Sequence, residues 1–368
     1  MKVSLRYRLD GKIRAVIMWM MRCVTQTSPE QRVDLRRQNI KKILLVRGIF
    51  RLGNSILATP AIVLFRKNFP NARIDFVGPG ISKSLFQKLP INHYHVIHHK
   101  FPKVCWSYLR LLRKIRAVKY DLAVDVGGSN AALGAFIVGF SGARFRAGLR
   151  GKWDDWFNLR FARPAEKNKY GRLPQLIAAM GLESHKILPT LVLSFKEKEA
   201  ARKRLEKIFD RVSRPVVGIF VGGRKARGKR WPKQNFLPVA DALRRLGANV
   251  VIFVGPEERE LISYFQQVLR ERIPVVSESD PRGFAAMVAN CDLFVACDSG
   301  PVHVACALGV RTVAIFLQNN FDRWGSPSTL ARIVYQDTGV SAAEVTEACR
   351  IELVDLSTRW DAAKIVNA

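Results

Sequence analysis

The chain has 368 residues, 48% of them hydrophobic, and carries 61 Lys and Arg against 30 Asp and Glu, a formal charge of +31. That length allows one very large domain or two ordinary ones, and the apolar fraction suffices for a packed core. The charge calls for anionic partners (nucleic acid, an anionic membrane or a phosphorylated substrate) without choosing among them, and no run reaches the ~18 apolar residues of a membrane span. The six cysteines, Cys23, Cys105, Cys291, Cys297, Cys306 and Cys349, form no CxxC pair. They read as free thiols of a reducing cytosol rather than a disulfide framework.

Residues 1–40 stand apart. Lys2, Arg6, Arg8, Lys12 and Arg14 precede the apolar run 15–21, Arg22 follows, and a second basic run covers 32–37. A signal peptide is disfavoured: the apolar run is short, no small-residue cleavage site is evident, and basic sequence comes next. The pattern predicts a basic amphipathic helix on an anionic membrane surface, with Trp19 at headgroup level. A helix packed on the protein's own surface is the alternative.

From residue 41 the chain alternates. A buried strand at 41–46, a loop at 47–54, a helix at 55–68 and a strand at 73–77 predict a parallel, Rossmann-like sheet. Gly48 and Gly53 do not make G-x-G-x-x-G, so a dinucleotide enzyme is disfavoured. His93, His95, His98 and His99 invite a zinc reading, but no Cys or carboxylate stands at ligand spacing, and the alternation suggests a strand with half-exposed His. A basic amphipathic helix from Trp106, a strand at 121–126 ending in Gly127-Gly128, a helix at 131–140 and a strand at 143–149 follow. Residues 150–170 interleave Arg150, Lys152, Arg160, Arg163, Lys167 and Lys169 with Trp153, Trp156 and Phe157. Such a loop suits nucleic acid, a phosphorylated sugar or plain solvent.

A charged helix at 196–210 opens the second half, and residues 215–221 start a new series of strands. The loop GGRKARGKRWPK (222–233) nearly matches a Walker A loop. Arg230 replaces the hydroxyl residue, however, and Trp231-Pro232 interrupts the helix that should follow. Strands at 249–254 and 274–276 and a helix at 284–289 lead to LFVACDSGPVHVACALGV (293–310). This reads as a strand, a tight turn at Asp298, Ser299 and Gly300, and a helix whose first turn holds Pro301 and whose stop is Gly309. Backbone N–H groups and the positive helix end converge there, which suits a phosphate. A last helix covers 341–354.

Four motifs carry a resemblance. DSGPVHVACALGV resembles the D-S/T-G-P-x-H-x-A-x-A-L-G signature of glycosyltransferase family 9, the ADP-heptose:lipopolysaccharide heptosyltransferases, with Arg311 where Pro is usual. ILLVRGIFRLGNSILATPAIVLFRKNFP is similar to the family's I-L-x-I-R-x-x-x-x-G-D-x-L-x-T-P-A-I motif. Lys229-Arg230-Trp231-Pro232 resembles its K-x-W-P, and NVVIFVGPEE its strand followed by G-x-x-x-E/D.

The resemblance implies an α/β GT-B fold, two Rossmann-like domains facing a central cleft. The acceptor domain is expected at 41–190, the nucleotide-sugar domain at 191–345 and a tail at 346–368. It implies inverting transfer of heptose, or a related sugar, from a nucleotide sugar such as ADP-heptose to a phosphorylated lipopolysaccharide core or other glycan, without metal or cofactor. The expected setting is the inner face of the cytoplasmic membrane. Donor contacts are expected from Gly222, Gly223, Lys229, Glu257, Asp298, Ser299, Gly300, Pro301 and His303. Acceptor contacts are expected from Arg47, Arg51, Gly53, Asn54, Arg150 and Lys152.

Asn54 departs from the family, whose Asp there is the expected base; an amide orients a hydroxyl but takes no proton at neutral pH. Asp125, at a strand end in the same domain, is the substitute, with Asp298 after it. A weak or inactive sugar-nucleotide-binding homologue is the second reading. A basic nucleic-acid-binding protein is a third, unsupported by any helix-turn-helix, zinc-finger or RNP string; no nucleic-acid partner is expected.

Overall fold

The computed structural model describes residues 33–98, 103–127, 132–209, 215–224, 227–269 and 272–366. Of the extension at residues 1–40, where a membrane-surface helix is expected, only 33–40 are described, with one short helical turn at Leu35–Arg37; the rest lies outside the described residues, as does His99. In the first half, β1 (Lys42–Val46) is followed by the short helix α1 (Leu52–Ile56), α2 (Thr59–Asn68), β2 (Arg73–Pro79) and β3 (His93–Ile97). Then come α3 (Lys103–Val118), β4 (Leu122–Asp125), α4 (Ala132–Gly139), β5 (Phe145–Leu149), β6 (Leu159–Phe161) and α5 (Arg172–Ala179). The helix expected at 55–68 is two helices, because Pro60 sits in the first turn of α2 and starts a new segment.

The second half holds α6 (Phe195–Phe209), β7 (Val216–Phe220), α7 (Phe236–Arg245), β8 (Asn249–Val254), α8 (Ile262–Leu269), β9 (Val275–Ser277) and α9 (Pro281–Val288). It closes with β10 (Leu293–Cys297), α10 (Gly300–Ala307), β11 (Arg311–Ile315), α11 (Phe321–Trp324), β12 (Ala331–Val334) and α12 (Ala342–Val366). The last helix runs on through position 345.

Each half builds one parallel six-stranded sheet, in the orders β3-β2-β1-β4-β5-β6 and β12-β11-β10-β7-β8-β9. Both are the doubly wound order, which reverses between its first and fourth strands and opens a crevice at their carboxyl ends. The central strands are buried on both faces, as parallel sheets require: β1, β4, β7 and β10 read as near-continuous apolar runs. The two crevices face each other.

The halves are joined by packing. Gly300 at the start of α10 lies against Leu52 of α1, where a Cβ on Gly300 would stand 3.3 Å from that of Leu52. Arg282 of α9 is 6% exposed and reaches the carbonyl of Ser84 at 3.1 Å, the carbonyl of Val192 at 3.0 Å and the carboxylate of Glu197. The coil before α6 touches both halves: Thr190 N–H donates to Thr59 and Leu191 N–H to the Ala307 carbonyl, each at 2.9 Å.

Candidate active site

The cleft between the sheets has a volume of about 400 Å³. The first half supplies residues 50–54, the end of the loop after β1 and the first turn of α1. The second supplies Gly223, Arg224, Arg227 and Lys229 after β7, Glu257 after β8, and residues 298–301 with His303 after β10. Every one of these loops leaves the carboxyl end of a strand. The turn after β10 is built as the sequence predicts. Ser299 is the N-cap in extended geometry, Pro301 sits in the first turn of α10, and Gly309 ends the helix with φ +76°. The Ser299 hydroxyl turns back to the Cys297 carbonyl at 2.8 Å, so no side chain caps α10. Its first N–H groups and positive end are left for an anionic ligand.

The basic loop after β7 is held rigidly. Trp231 is buried, donates Nε1–H to the Val340 carbonyl at 3.0 Å and meets Phe236 edge-on. Gly223 lets the loop close, since a Cβ there would lie 2.3 Å from the Lys229 carbonyl. Lys229 forms an ion pair with Asp298, itself 8% exposed. The Lys expected to meet a diphosphate thus stands on the carboxylate of the phosphate-binding turn. Of the adjacent acids, Glu257 is exposed in the cleft. Glu258 is 5% exposed, paired with Arg230 at 3.2 Å and accepting from Gly223 N–H. Glu258 therefore braces the loop. Gly222 packs between Phe220 and Glu258, one step behind the cleft wall.

On the opposing side, Gly53 is pressed against His303: a Cβ would stand 2.5 Å from its Cδ2. His303 is 4% exposed and its pKa is pushed down to about 4, first by burial. Its Nδ1 lies 2.6 Å from the Tyr170 hydroxyl, which accepts from Ser326 at 2.8 Å; Ser326 accepts from the Cys306 thiol at 3.2 Å. Tyr170 therefore donates to Nδ1, and the imidazole proton resides on Nε2. Arg51 has its pKa lowered by burial and by Arg224 and Arg227. Four cations, Arg51, Arg224, Arg227 and Lys229, line one cleft, which suits a diphosphate. Sequence reasoning missed Arg224 and Arg227; their signal was the density of charge in GGRKARGKRWP.

The remaining expected site residues lie elsewhere. Arg150 and Lys152 are exposed beyond β5, outside the cleft; the Lys152 ammonium stands 5.4 Å from the Trp153 ring centroid. Asn54 lines the cleft, and Arg47 stands behind it, donating to its Oδ1 at 2.8 Å. Asp125 is 1% exposed, does not line the cleft, and accepts from Gly127 N–H at 2.8 Å. Burial pushes its pKa up to about 7 against the pull of Gly127 and Arg47. The His of β3 serve a different purpose: His95 sits 3.6 Å from the buried carboxylate of Asp75, which also accepts from Tyr120 and Arg73. Among the described residues no group of three His, Cys, Asp or Glu is placed to hold a metal ion, and no helix is long and apolar enough to cross a membrane.

Two facing doubly wound sheets, with turns from both converging on one cation-lined cleft, define a GT-B glycosyltransferase. The chain belongs to glycosyltransferase family 9, the heptosyltransferases: that family model matches residues 108–354. Its relatives include lipooligosaccharide heptosyltransferase 2 of Campylobacter jejuni, 26% identical over 78% of this chain and 84% of that protein. Lipopolysaccharide heptosyltransferase 2 of Escherichia coli is 22% identical over 85% of this chain and 94% of its own length. The crystal structure of a family 9 glycosyltransferase from Veillonella parvula shares the fold with a TM-score of 0.74 at 21% identity, covering 86% of this chain and 97% of the other. The structure of E. coli ADP-heptose lipopolysaccharide heptosyltransferase II does so at 0.72 and 22%, covering 86% and 99%.

Proposed function

We propose that the chain transfers a heptose from ADP-heptose to a lipopolysaccharide core acceptor, with inversion at the anomeric carbon. One observation carries the reading: the start of α1, with Gly53 and Asn54, meets the turn at residues 298–301 across a single cleft. The nucleoside diphosphate rests on the uncapped start of α10 and on Lys229, Arg224 and Arg227, with Glu257 accepting from the ribose. The acceptor enters from the side of Arg51, Gly53 and Asn54. Its hydroxyl oxygen attacks the anomeric carbon, the bond from that carbon to the diphosphate oxygen breaks, and the hydroxyl proton passes to a carboxylate. Asp298 lines the cleft in the very turn that meets Gly53 and Asn54, and takes that role. A single displacement inverts the configuration. Cations and helix N–H groups absorb the charge that develops on the leaving diphosphate.

The test is incubation with ADP-heptose and a heptose-deficient core acceptor. The acceptor mass should rise by one heptose as ADP is released, and the anomeric coupling constant should report inversion. Turnover with a UDP- or GDP-sugar and none with ADP-heptose would overturn the donor assignment. A second reading, a sugar-nucleotide-binding homologue of little or no activity, draws on Asn54, whose amide replaces a base. It predicts ADP binding without turnover.

We also infer that the protein works at an anionic membrane surface. No Asp or Glu lies between Asp75 and Asp121, and the outer side of α3 exposes Leu109, Arg110, Arg113, Lys114 and Arg116. Basic residues around an exposed apolar side chain suit anionic headgroups. Sedimentation with vesicles containing phosphatidylglycerol, and none with pure phosphatidylcholine, is the expected result. Equal behaviour with both would remove the inference.

A further inference from the structure

His303 stands in the first turn of α10. Helix side chains lean toward the N-terminus, so its ring leans toward the turn at residues 298–301. The Cδ2–Nε2 edge faces the other half: a Cβ on Gly53 would lie 2.5 Å from Cδ2 and 3.4 Å from Nε2. The ring lines the cleft, and among the described residues nothing accepts its Nε2–H. A buried donor of this kind is left for a ligand.

The hydrogen sits on Nε2 because of what lies behind the ring. Cys306, Ser326 and Tyr170 form a directed chain that ends on Nδ1. Sulfur is its weakest acceptor and the phenol its more acidic hydroxyl, which keeps the direction. Burial holds the phenol protonated and the imidazole neutral. Tyr170 comes from the first half, whereas His303, Cys306 and Ser326 belong to the second. Its segment is tied to that second half: Asn168 Nδ2–H donates to the Gly325 carbonyl at 2.9 Å and Lys169 N–H to the Arg323 carbonyl at 3.0 Å.

The charges acting on the ring are Asp298 and Lys229. Ionised Asp298 can only accept. A hydroxyl seated between ring and carboxylate gives its one hydrogen to Asp298 and so must accept from the imidazole. We propose that Tyr170 is a positioning residue: by donating to Nδ1 it locks His303 as a donor, which seats a sugar hydroxyl between the imidazole and Asp298. A ring with a bare Nε2 would compete with Asp298 for the hydrogen of that hydroxyl. Since the locking group belongs to the opposite half, the N–H is set only while the halves are joined. The sugar rests on the function proposed above; the tautomer does not.

Nitrogen-15 NMR of the full chain with labelled histidine reads the lock, because protonated and bare ring nitrogens resonate far apart. His303→Gln identifies the signals. The wild type should show Nε2–H with a bare Nδ1, and Tyr170→Phe should move hydrogen onto Nδ1. Nδ1–H in the wild type, or unchanged signals in Tyr170→Phe, overturns the lock. This arm holds whatever the substrates are.

Ser326→Ala separates positioning from stability. It removes a buried hydrogen bond and leaves the phenol hydrogen on Nδ1. Both variants should lose about 1–4 °C in Tm. Tyr170→Phe alone should raise the KM of the substrate that carries the hydroxyl, by about five- to a hundredfold, the size of a buried group left unsatisfied. A rise for the nucleotide sugar assigns the hydroxyl to the transferred sugar, and a rise for the acceptor assigns it there. No rise for either substrate, or an equal rise in Ser326→Ala, overturns the positioning role.

Discussion

Arg47 donates Nη2–H to Oδ1 of Asn54 across 2.8 Å and Nη1–H to the Val126 carbonyl across 2.7 Å. The Asn54 carbonyl oxygen is thereby committed to a buried guanidinium, and its NH₂ remains to meet a ligand. In the cleft Asn54 is a donor that can orient a hydroxyl and cannot deprotonate it. Aspartate at this position would make the Arg47 contact charge-assisted and add a carboxylate to the cleft. Asn54→Asp should keep or raise kcat, measured at saturating donor and acceptor. A tenfold fall would show that the amide N–H₂ is itself required.

Asp125 acts at one remove. The register Val46↔Asp125 sets its carboxylate beside the residue that follows β1, which is Arg47. Gly134 closes the other side, where a Cβ would lie 2.7 Å from Oδ1. A group so enclosed, outside the cleft, cannot meet an acceptor hydroxyl. The loss expected of a direct base, about 10²–10⁴ in kcat, should shrink to about tenfold or less in Asp125→Asn, transmitted through Arg47 and Asn54.

Stability offers a second readout for Asp125. Its folded pKa, about 7, is raised above an unfolded value of about 3.9. The associated stabilisation is complete below about pH 4 and is lost as pH rises through 7. Between pH 5 and pH 8 the wild type should therefore lose more unfolding free energy than Asp125→Asn, by on the order of a few kcal/mol. Denaturant titrations at the two pH values decide it; parallel losses would mean that Asp125 ionises without penalty.

The sequence announced what is local. Short apolar runs ending in Gly, Pro or Asp marked most central strands and the turns that follow them, because a buried parallel strand and a phosphate-binding turn each have a compact residue pattern. Three-residue β6 is an edge strand set among basic side chains, and β11 starts two residues after the Gly309 helix stop, so neither stands out as an apolar run. Pro174 inside α5 disguised that helix, although its first turn tolerates proline. The contacts that define the site are long-range. Lys229 with Asp298, Asp125 with Arg47 and Tyr170 with His303 follow from strand register and from packing between halves, which no local pattern encodes. Hence Glu257 and Glu258 look equivalent in sequence and both line the cleft, yet Glu257 is exposed there and Glu258 is buried and braces a loop.

Tyr170 and His303 give a test of such a contact. Tyr170→Phe removes the donor to His303 Nδ1 and the acceptor of Ser326, both buried. Leaving such groups unsatisfied costs about 1–3 kcal/mol, which for a chain of this length is a fall in Tm of about 1–4 °C. ADP affinity should change little, since the hydroxyl lies behind the imidazole. An undisturbed Tm would mean that His303 and Ser326 find other partners.

Lys229 and Asp298 make opposing predictions because they are paired. Lys229→Ala removes a cation from the diphosphate site and leaves Asp298 unneutralised beside the incoming phosphates. ADP binding should weaken by about 1.5–3 kcal/mol, the range for a charged hydrogen bond, or roughly ten- to 150-fold in Kd. Asp298→Asn does the reverse: it frees Lys229 for the ligand, so ADP should bind as tightly or more tightly in calorimetry. Turnover should nonetheless fall by about 10²–10⁴, because the carboxylate that accepts the acceptor proton is gone. Tight ADP with slow turnover is a signature that a merely structural ion pair would not produce, since breaking such a pair harms both alike. Should Asp298→Asn retain turnover within about threefold, the proton goes elsewhere, and Glu257, the exposed carboxylate of the same cleft, becomes the residue to substitute.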